Sequence, residues 1–204
     1  MNDDDAIALE HALDVLDASR EGVLSIGGEQ RIPLRYVVAG ADGRLVASVP
    51  VAALLAHELI LHVPEETDDA LQLLLSVEEI AECADTDRWQ AHHGQPEHVR
   101  WGAMFIDSAK HGPWVFDGDA MMRPNPLTAA EPALCKLANA DKAALVRACQ
   151  RYAGLVVPDP VCVGADPRGL HIRARFGVVR LRFPGEAPTP GAAEAILRQV
   201  LSAE

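Results

Sequence analysis

Apolar residues at Leu9, Ala12, Leu13 and Leu16 recur every three to four positions between Asp3 and Arg20, which predicts an amphipathic first helix. Asp3, Asp4 and Asp5 fall in its first turn, where the helix dipole favours negative charge, and Gly22 ends it. The period then changes. Val23 to Ile26, Ile32 to Val38 and Arg44 to Val49 are apolar or β-branched runs separated by turn residues such as Ala41-Asp42-Gly43, as strands are. Pro33 cannot donate to a strand ladder, which puts the second run at an edge or a bulge. Pro50 opens a predicted helix over Val51 to Leu61. Leu71, Leu73, Leu75 and Val77 then alternate as one face of a half-buried strand. Val99 to Ile106 and Trp114 to Met121 complete six expected strands, with the helix inserted after the third. Closing short antiparallel strands into a barrel removes their exposed edges, so a six-stranded antiparallel barrel is the expected first domain.

Arg123-Pro124-Asn125-Pro126 reads as a linker and divides the chain into residues 1–126 and 127–204. In the second part Asn139 is the expected N-cap of a helix with a Leu145, Ala148, Cys149, Tyr152 face, closed by Gly154. Val161 to Gly164 is a short strand. From His171 to Phe183, Ile172, Ala174 and Phe176 alternate with Arg173 and Arg175. Beyond a bend at Gly177, Val179, Leu181 and Phe183 alternate with Arg180 and Arg182. Thr189-Pro190 starts a last helix with Ala193, Ile196, Leu197, Val200 and Leu201 as its buried stripe. The fold class is therefore α+β: a six-stranded antiparallel barrel with an inserted helix, followed by a small α/β domain.

Charge narrows the partners. The net charge of −12 argues against general affinity for nucleic acid, yet the charge is uneven. Residues 1–150 carry 11 Lys/Arg against 25 Asp/Glu, whereas residues 151–204 carry 7 against 5. The four cysteines include no C-x-x-C pair, so they read as reduced thiols rather than a disulfide framework or zinc site. No apolar run is long enough to cross a bilayer, and the acidic N-terminus is unlike a secretory signal, so a cytosolic location is expected.

Three segments carry a family resemblance. Leu54-Leu55-Ala56-His57-Glu58-Leu59-Ile60-Leu61 sits where flavin-binding split barrels have Leu-Ala-x-His-Thr-x-Asn-Leu, with Glu58 and Ile60 in place of the Thr and Asn. Gly112-Pro113-Trp114-Val115-Phe116-Asp117-Gly118-Asp119-Ala120 lies near their Gly-Gly-Phe-Gly-x-Ala strand. Glu131-Pro132-Ala133-Leu134 through Asn139-Ala140-Asp141-Lys142 is similar to their Asn-x-Asp-His segment, with Lys142 for the histidine. The order resembles the pyridoxamine-phosphate oxidase-like split-barrel superfamily, and within it the haem-utilisation branch with its appended C-terminal domain. That resemblance implies a homodimer with flavin mononucleotide (FMN) or haem in a groove between subunits, and redox chemistry supplied by the cofactor. The branch's C-terminal histidine has no counterpart in Leu201-Ser202-Ala203-Glu204.

A flavin phosphate calls for cations and hydroxyls near the second and third strands, which makes Arg35, Arg44 and Ser48 the candidates. No Lys or Arg occurs between Arg44 and Arg88, while Glu58, Glu65 and Glu66 oppose an anion there. His57 stands at a family position as a contact to cofactor or haem iron, or as a hydrogen-bonded helix residue. Trp101 is a candidate neighbour of the cofactor ring or a core residue. His57 and His62 are five apart and do not share a helix face, and His92, His93 and His98 fall in a polar loop without ligand-spaced partners, so no metal site is expected. Arg173, Arg175, Arg180 and Arg182 read as the solvent face of a hairpin or as a surface for an acidic protein. The other function class is accordingly a cofactor-free regulatory or adaptor protein that binds through those arginines. No nucleophile elbow, P-loop or dinucleotide fingerprint is present.

Overall fold

The computed structural model describes residues 3–202; Met1, Asn2, Ala203 and Glu204, and with them the expected end of the chain, lie outside the described residues. The protein is a mixed α+β chain of two compact units. One comprises Met1–Gln90 and Gly94–Pro124, the other Ala91–His93 and Asn125–Glu204. The division thus falls two residues before the expected 126/127 boundary, and the second unit also takes in a helix end from the first part of the chain.

In the first unit, α1 (Asp3–Ala18) buries Leu9, Ala12, Leu13 and Leu16, the face its spacing predicts. The sheet contains β1 (Glu21–Ile26), β2 (Gln30–Arg35), β3 (Val37–Val38), β4 (Leu45–Val49), β5 (Leu59–Val63), β6 (Leu71–Ile80), β7 (Arg100–His111) and β8 (Trp114–Asp117). Its order is β2-β1-β5-β6-β7-β4-β3, with each of these neighbours paired antiparallel and β8 added to β7. β7 is the spine. One edge pairs with β6 from Trp101 to Lys110; the other is shared, Arg100 to Met104 with β4 and Ser108 to His111 with β8. β2 is a terminal strand of this path, a position that tolerates the missing donor of Pro33.

This corrects the closed six-stranded barrel. The sheet is a strongly curled half-barrel of eight strands whose path ends at β2 and β3. The inserted helix shrinks to α2 (Val51–Leu54), and the rest of the expected helix becomes β5. Leu59, Leu61 and Val63 satisfy a period of two and are buried in the core, and β5 pairs on both edges, with β1 and β6. The last expected strand is also shorter: β8 stops at Asp117, and α4 (Gly118–Met121) follows, capped by the Asp117 carboxylate accepting from Asp119 N. Gly118 is required there, because a Cβ would lie 1.6 Å from the Ile106 carbonyl oxygen. The concave core joins Leu24, Leu45, Leu61, Leu73, Met104 and Ile106 to the apolar face of α1.

The polar stretch around His92 is a helix, α3 (Ala84–His93), not a loop. Thr86 Oγ1 accepts from Cys83 N, which starts it despite its sparse apolar content.

The second unit builds a three-stranded antiparallel sheet, β9 (Val161–Asp166), β10 (Gly169–Ala174) and β11 (Gly177–Arg182), in the order β11-β10-β9. Helices α5 (Glu131–Asn139), α6 (Lys142–Ala153) and α7 (Pro190–Ser202) complete it. Leu134, Leu145, Cys149, Ile172, Leu181 and Leu197 share its core. The Arg-studded segment is the hairpin its alternation predicts. Gly154 adopts the left-handed conformation at the end of α6, with φ 68°. The start of α6 differs from expectation: Asp141, not Asn139, is the N-cap, its Oδ1 accepting from Ala144 N at 2.9 Å. Asn139 closes α5 instead, and its amide has another task.

Candidate functional site

The four proposed flavin contacts on strands and loops have partners of their own within the first unit. Arg35, at the end of β2, lies 3.3 Å from Glu97, and its carbonyl accepts from Trp89 Nε1. Arg44 pairs with Asp42 at 2.7 Å and lies over the Phe105 ring at 4.9 Å. Ser48 is buried; its hydroxyl donates to His98 O at 2.9 Å and accepts from His98 N at 2.8 Å. Trp101 packs edge-on against Trp89, ring centroids 5.4 Å apart, in a small cluster with Val37 and Val46. Ser48 and Trp101 are register partners across β4 and β7. His57 is exposed in the bend between α2 and β5, not on a helix. Arg35 and Arg44 each face a carboxylate, and the Ser48 hydroxyl is engaged with the His98 backbone, so these contacts disfavour a phosphate there.

Sequence reasoning missed the cavity that the first unit does form. A groove of about 580 Å³ lies between α1 and the β7–β8 turn, lined by Asp4, Ile7, His11, Asp69, His111 and Trp114, among others. Its volume is in the usual range for small-molecule sites. α1 supplies His11 from the turn after its acidic start, and the register pair His111–Trp114 closes the β-turn around Gly112, whose φ is 58°. The two imidazole rings meet at 5.0 Å between centroids and tilt by 51°. Burial lowers the His111 pKa below its ordinary value, nearby His11 lowers it further, and Asp69 opposes the change. These surroundings favour the neutral imidazole, the form that offers a lone pair to a metal. The i, i+4 pairing of Ile7 with His11 on α1 and the Gly112-Pro113 turn were the available signals. Nothing in local sequence brings residue 11 to residue 111.

The second unit gathers a different cluster. Arg180 grips Asp166 with both terminal nitrogens, Nη1 to Oδ2 and Nη2 to Oδ1, the latter at 2.5 Å. Arg180 Nη1 also lies 2.6 Å from His171 Nε2. An arginine N–H only donates, so Nε2 must accept and His171 carries its proton on Nδ1. His171 is 1% exposed and His92, from the end of α3, is 2% exposed; their rings lie 5.6 Å apart. Beneath them Gly164 keeps the space open, since a Cβ there would fall 2.8 Å from His171 Nδ1 and 3.0 Å from His92 Nε2.

Of the arginine hairpin, then, Arg180 is an internal strut, its side chain 6% exposed. Arg173 donates to Ala91 O at 2.6 Å. Arg175 and Arg182 are exposed. Among the described residues, no group of three or more His, Cys, Asp or Glu side chains is arranged to hold a metal ion. No helix among them is long and apolar enough to cross a membrane.

No protein-family profile and no curated protein sequence matches the chain. Solved structures do. Atu2129 from Agrobacterium tumefaciens str. C58, a protein of unknown function, superposes with a TM-score of 0.73 at 16% identity, covering 95% of this chain and 94% of its own. That likeness establishes a shared fold across both units. A heme binding protein from Mycobacterium smegmatis matches with a TM-score of 0.42 at 17% identity, covering 96% and 98%.

Proposed function

We propose that the protein is a split-barrel protein of haem-utilisation type that binds a planar iron porphyrin in the α1/β7–β8 groove. One observation carries this reading: a partly buried His111, its charged form disfavoured, stands beside His11 and Trp114 in a groove of ligand size. Haem, when bound, supplies redox or ligand chemistry at its iron. The chain's own part is to hold an imidazole lone pair ready and to present the Trp114 face to the macrocycle. Asp4 and Asp69 repel an anionic edge, so the porphyrin carboxylates are directed out to water and a flavin phosphate is excluded. The two-fold pairing implied by the family resemblance belongs to the same proposal. β6 and β7 leave Leu74 and Phe105 40% and 38% exposed, which supports a sheet-mediated contact.

Hemin titration tests this. Specific binding gives a sharp Soret band at one hemin per chain, and His111→Ala weakens it roughly tenfold or more while His11→Ala has the smaller effect. A band unchanged in the double variant, or no saturable binding, sinks the proposal. FMN is the negative control, and light scattering on the same samples reads the dimer.

A second reading, the adaptor, has one observation in its favour. The β10–β11 tip exposes Arg175 and 64% of Phe176, an aromatic ring beside a guanidinium suited to an acidic protein segment. If hemin does not bind, Arg175→Glu/Phe176→Ala becomes the variant to compare.

A further inference from the structure

Residues Glu131, Cys135 and Asn139 are spaced by four along α5, so they form one row on a single face of the helix. That row covers β9, which among the described residues is an edge strand paired with β10. Glu131 Oε1 accepts from Ala165 N at 2.9 Å. Asn139 clamps Cys162 twice: its Nδ2 donates to Cys162 O at 2.9 Å and its Oδ1 accepts from Cys162 N at 2.8 Å. The two anchors satisfy backbone groups that an edge strand leaves open, and they fix α5 against β9 on either side of Cys135. Between them Cys162 Sγ donates to Cys135 Sγ at 3.7 Å and approaches Gly164 O at 3.5 Å.

We propose that Cys135 and Cys162 are a redox-active pair, which a hydroperoxide converts to an intramolecular disulfide joining α5 to β9. A disulfide brings its sulfurs to about 2.0 Å. With the backbone already clamped beside both residues, side-chain rotation supplies the approach. The roles are unequal. Cys135 is partly exposed, whereas Cys162 is 3% exposed. Cys135 is therefore the sulfur a peroxide reaches, and the Cys162 thiol that donates to it stands ready as the second sulfur. The hydrogen bond to Cys135 and then burial hold the Cys162 thiol well above its ordinary range, so it remains the donor of the pair.

In the first step the Cys135 thiolate attacks one peroxide oxygen. An S–O bond forms, the O–O bond breaks, and the departing alkoxide takes up the proton that Cys135 released, leaving a sulfenic acid and an alcohol. In the second step Cys162 sulfur attacks Cys135 sulfur. The S–S bond forms, the S–O bond breaks, and hydroxide leaves with the Cys162 proton as water. Two thiols are oxidised and one hydroperoxide is reduced; a dithiol reverses the change by exchange. With its sulfur bonded to Cys135 and its hydrogen gone, Cys162 can no longer donate to Gly164 O, the alternative acceptor at 3.5 Å. The oxidation state is thereby felt beneath His92 and His171.

The other thiols provide the contrast. Cys149 is fully buried, and burial pushes its thiol up to about 11, which keeps it inert. Cys83 is exposed and is removed from the test as Cys83→Ser. Treated with hydrogen peroxide at near-stoichiometric amounts, this protein's three remaining thiols fall to one, and dithiothreitol restores them. Peptide mapping under non-reducing conditions finds Cys135 joined to Cys162. Cys135→Ala removes the cross-link and Cys149→Ser leaves it. Thiols that stay intact, a cross-link between other residues, or Cys135 over-oxidised to the sulfinic acid with Cys162 still reduced would each overturn the proposal. Mapping on the Cys83→Ser protein decides the matter even where the other variants fold poorly.

Discussion

His111 and His171 both lie on strands beside a second histidine, and their surroundings give them opposite uses. His111 borders an open groove in the first unit, with His11 at 5.0 Å and water within reach. His171 is sealed in the second unit, its Nε2 taken by Arg180 and its other face under His92. Open surroundings leave an imidazole a lone pair to offer a ligand. Closed ones turn it into part of the scaffold. The difference is set by what covers each strand, not by the histidine or its immediate neighbours in sequence.

The largest effect comes from breaking the closed cluster. Arg180→Met leaves the Asp166 carboxylate and His171 without the guanidinium that joins them, at a site where both partners are largely buried. Removing one member of a buried ion pair costs about 3–5 kcal/mol. The Asp166–Arg168 N hydrogen bond survives, which puts the expected loss near the lower end. Arg175→Ala, in the exposed turn of the same hairpin, changes stability by about 0.5 kcal/mol or less. Urea midpoints for the two variants check this. Equal losses would mean that the hairpin arginines are equivalent, as their alternation in sequence makes them look.

Gly164→Ala is the next step down. The new methyl would press on His171 Nδ1 at 2.8 Å and His92 Nε2 at 3.0 Å, and His171 cannot swing away without releasing Arg180. Overpacking of this kind costs about 1–3 kcal/mol. Gly191→Ala, on α7 with nothing within 4 Å, is the control and is neutral or slightly stabilising. Thermal melts of both variants make the comparison. A Gly164→Ala protein as stable as the control would show the histidine pair to be loosely packed.

Sequence was most informative where one face of an element meets one core. The α1 stripe at Leu9, Ala12, Leu13 and Leu16, the α7 stripe, and the β10–β11 hairpin all follow from periodicity alone. It misled where a short apolar segment fits two periods. Leu59 to Val63 follows a helix start at Pro50, and only pairing with β1 and β6 makes it a strand. The predicted barrel needed closure, yet strand order depends on contacts remote in sequence, and the sheet path ends at β2 and β3. The candidate sites were less legible than the fold. Ser48, Arg35 and Arg44 have the right chemistry for a phosphate, but Oγ of Ser48 is spent on His98 and the arginines on Glu97 and Asp42. The local signals at Ile7/His11 and Gly112-Pro113 could not join His11 to His111, because residues a hundred positions apart meet only through the α1 packing and the β7–β8 turn. Arg180 looked like its neighbours until Asp166, on another strand, was seen opposite it.

The smallest effect is a slope rather than a loss, and it sharpens the open side of the comparison. Burial, helped by His11 and opposed by Asp69, keeps folded His111 neutral to a lower pH than the unfolded chain, where histidine titrates near 6.5. Above that value the residue is neutral in both states and contributes no pH dependence. As the pH falls below about 6.5, the unfolded chain takes up its proton first, so folding stability decreases until folded His111 protonates as well. His111→Gln removes this part of the titration, and its urea midpoint changes less than the wild-type midpoint between pH 7.5 and pH 5.5. Because the groove is open to water, the difference is modest. His11 and the rim acids Asp4 and Asp69 line the same groove, so His11→Gln is measured in parallel. If removing His111 left the slope unchanged while removing His11 flattened it, the neutral imidazole available to a ligand would have to be reassigned from the strand to the helix.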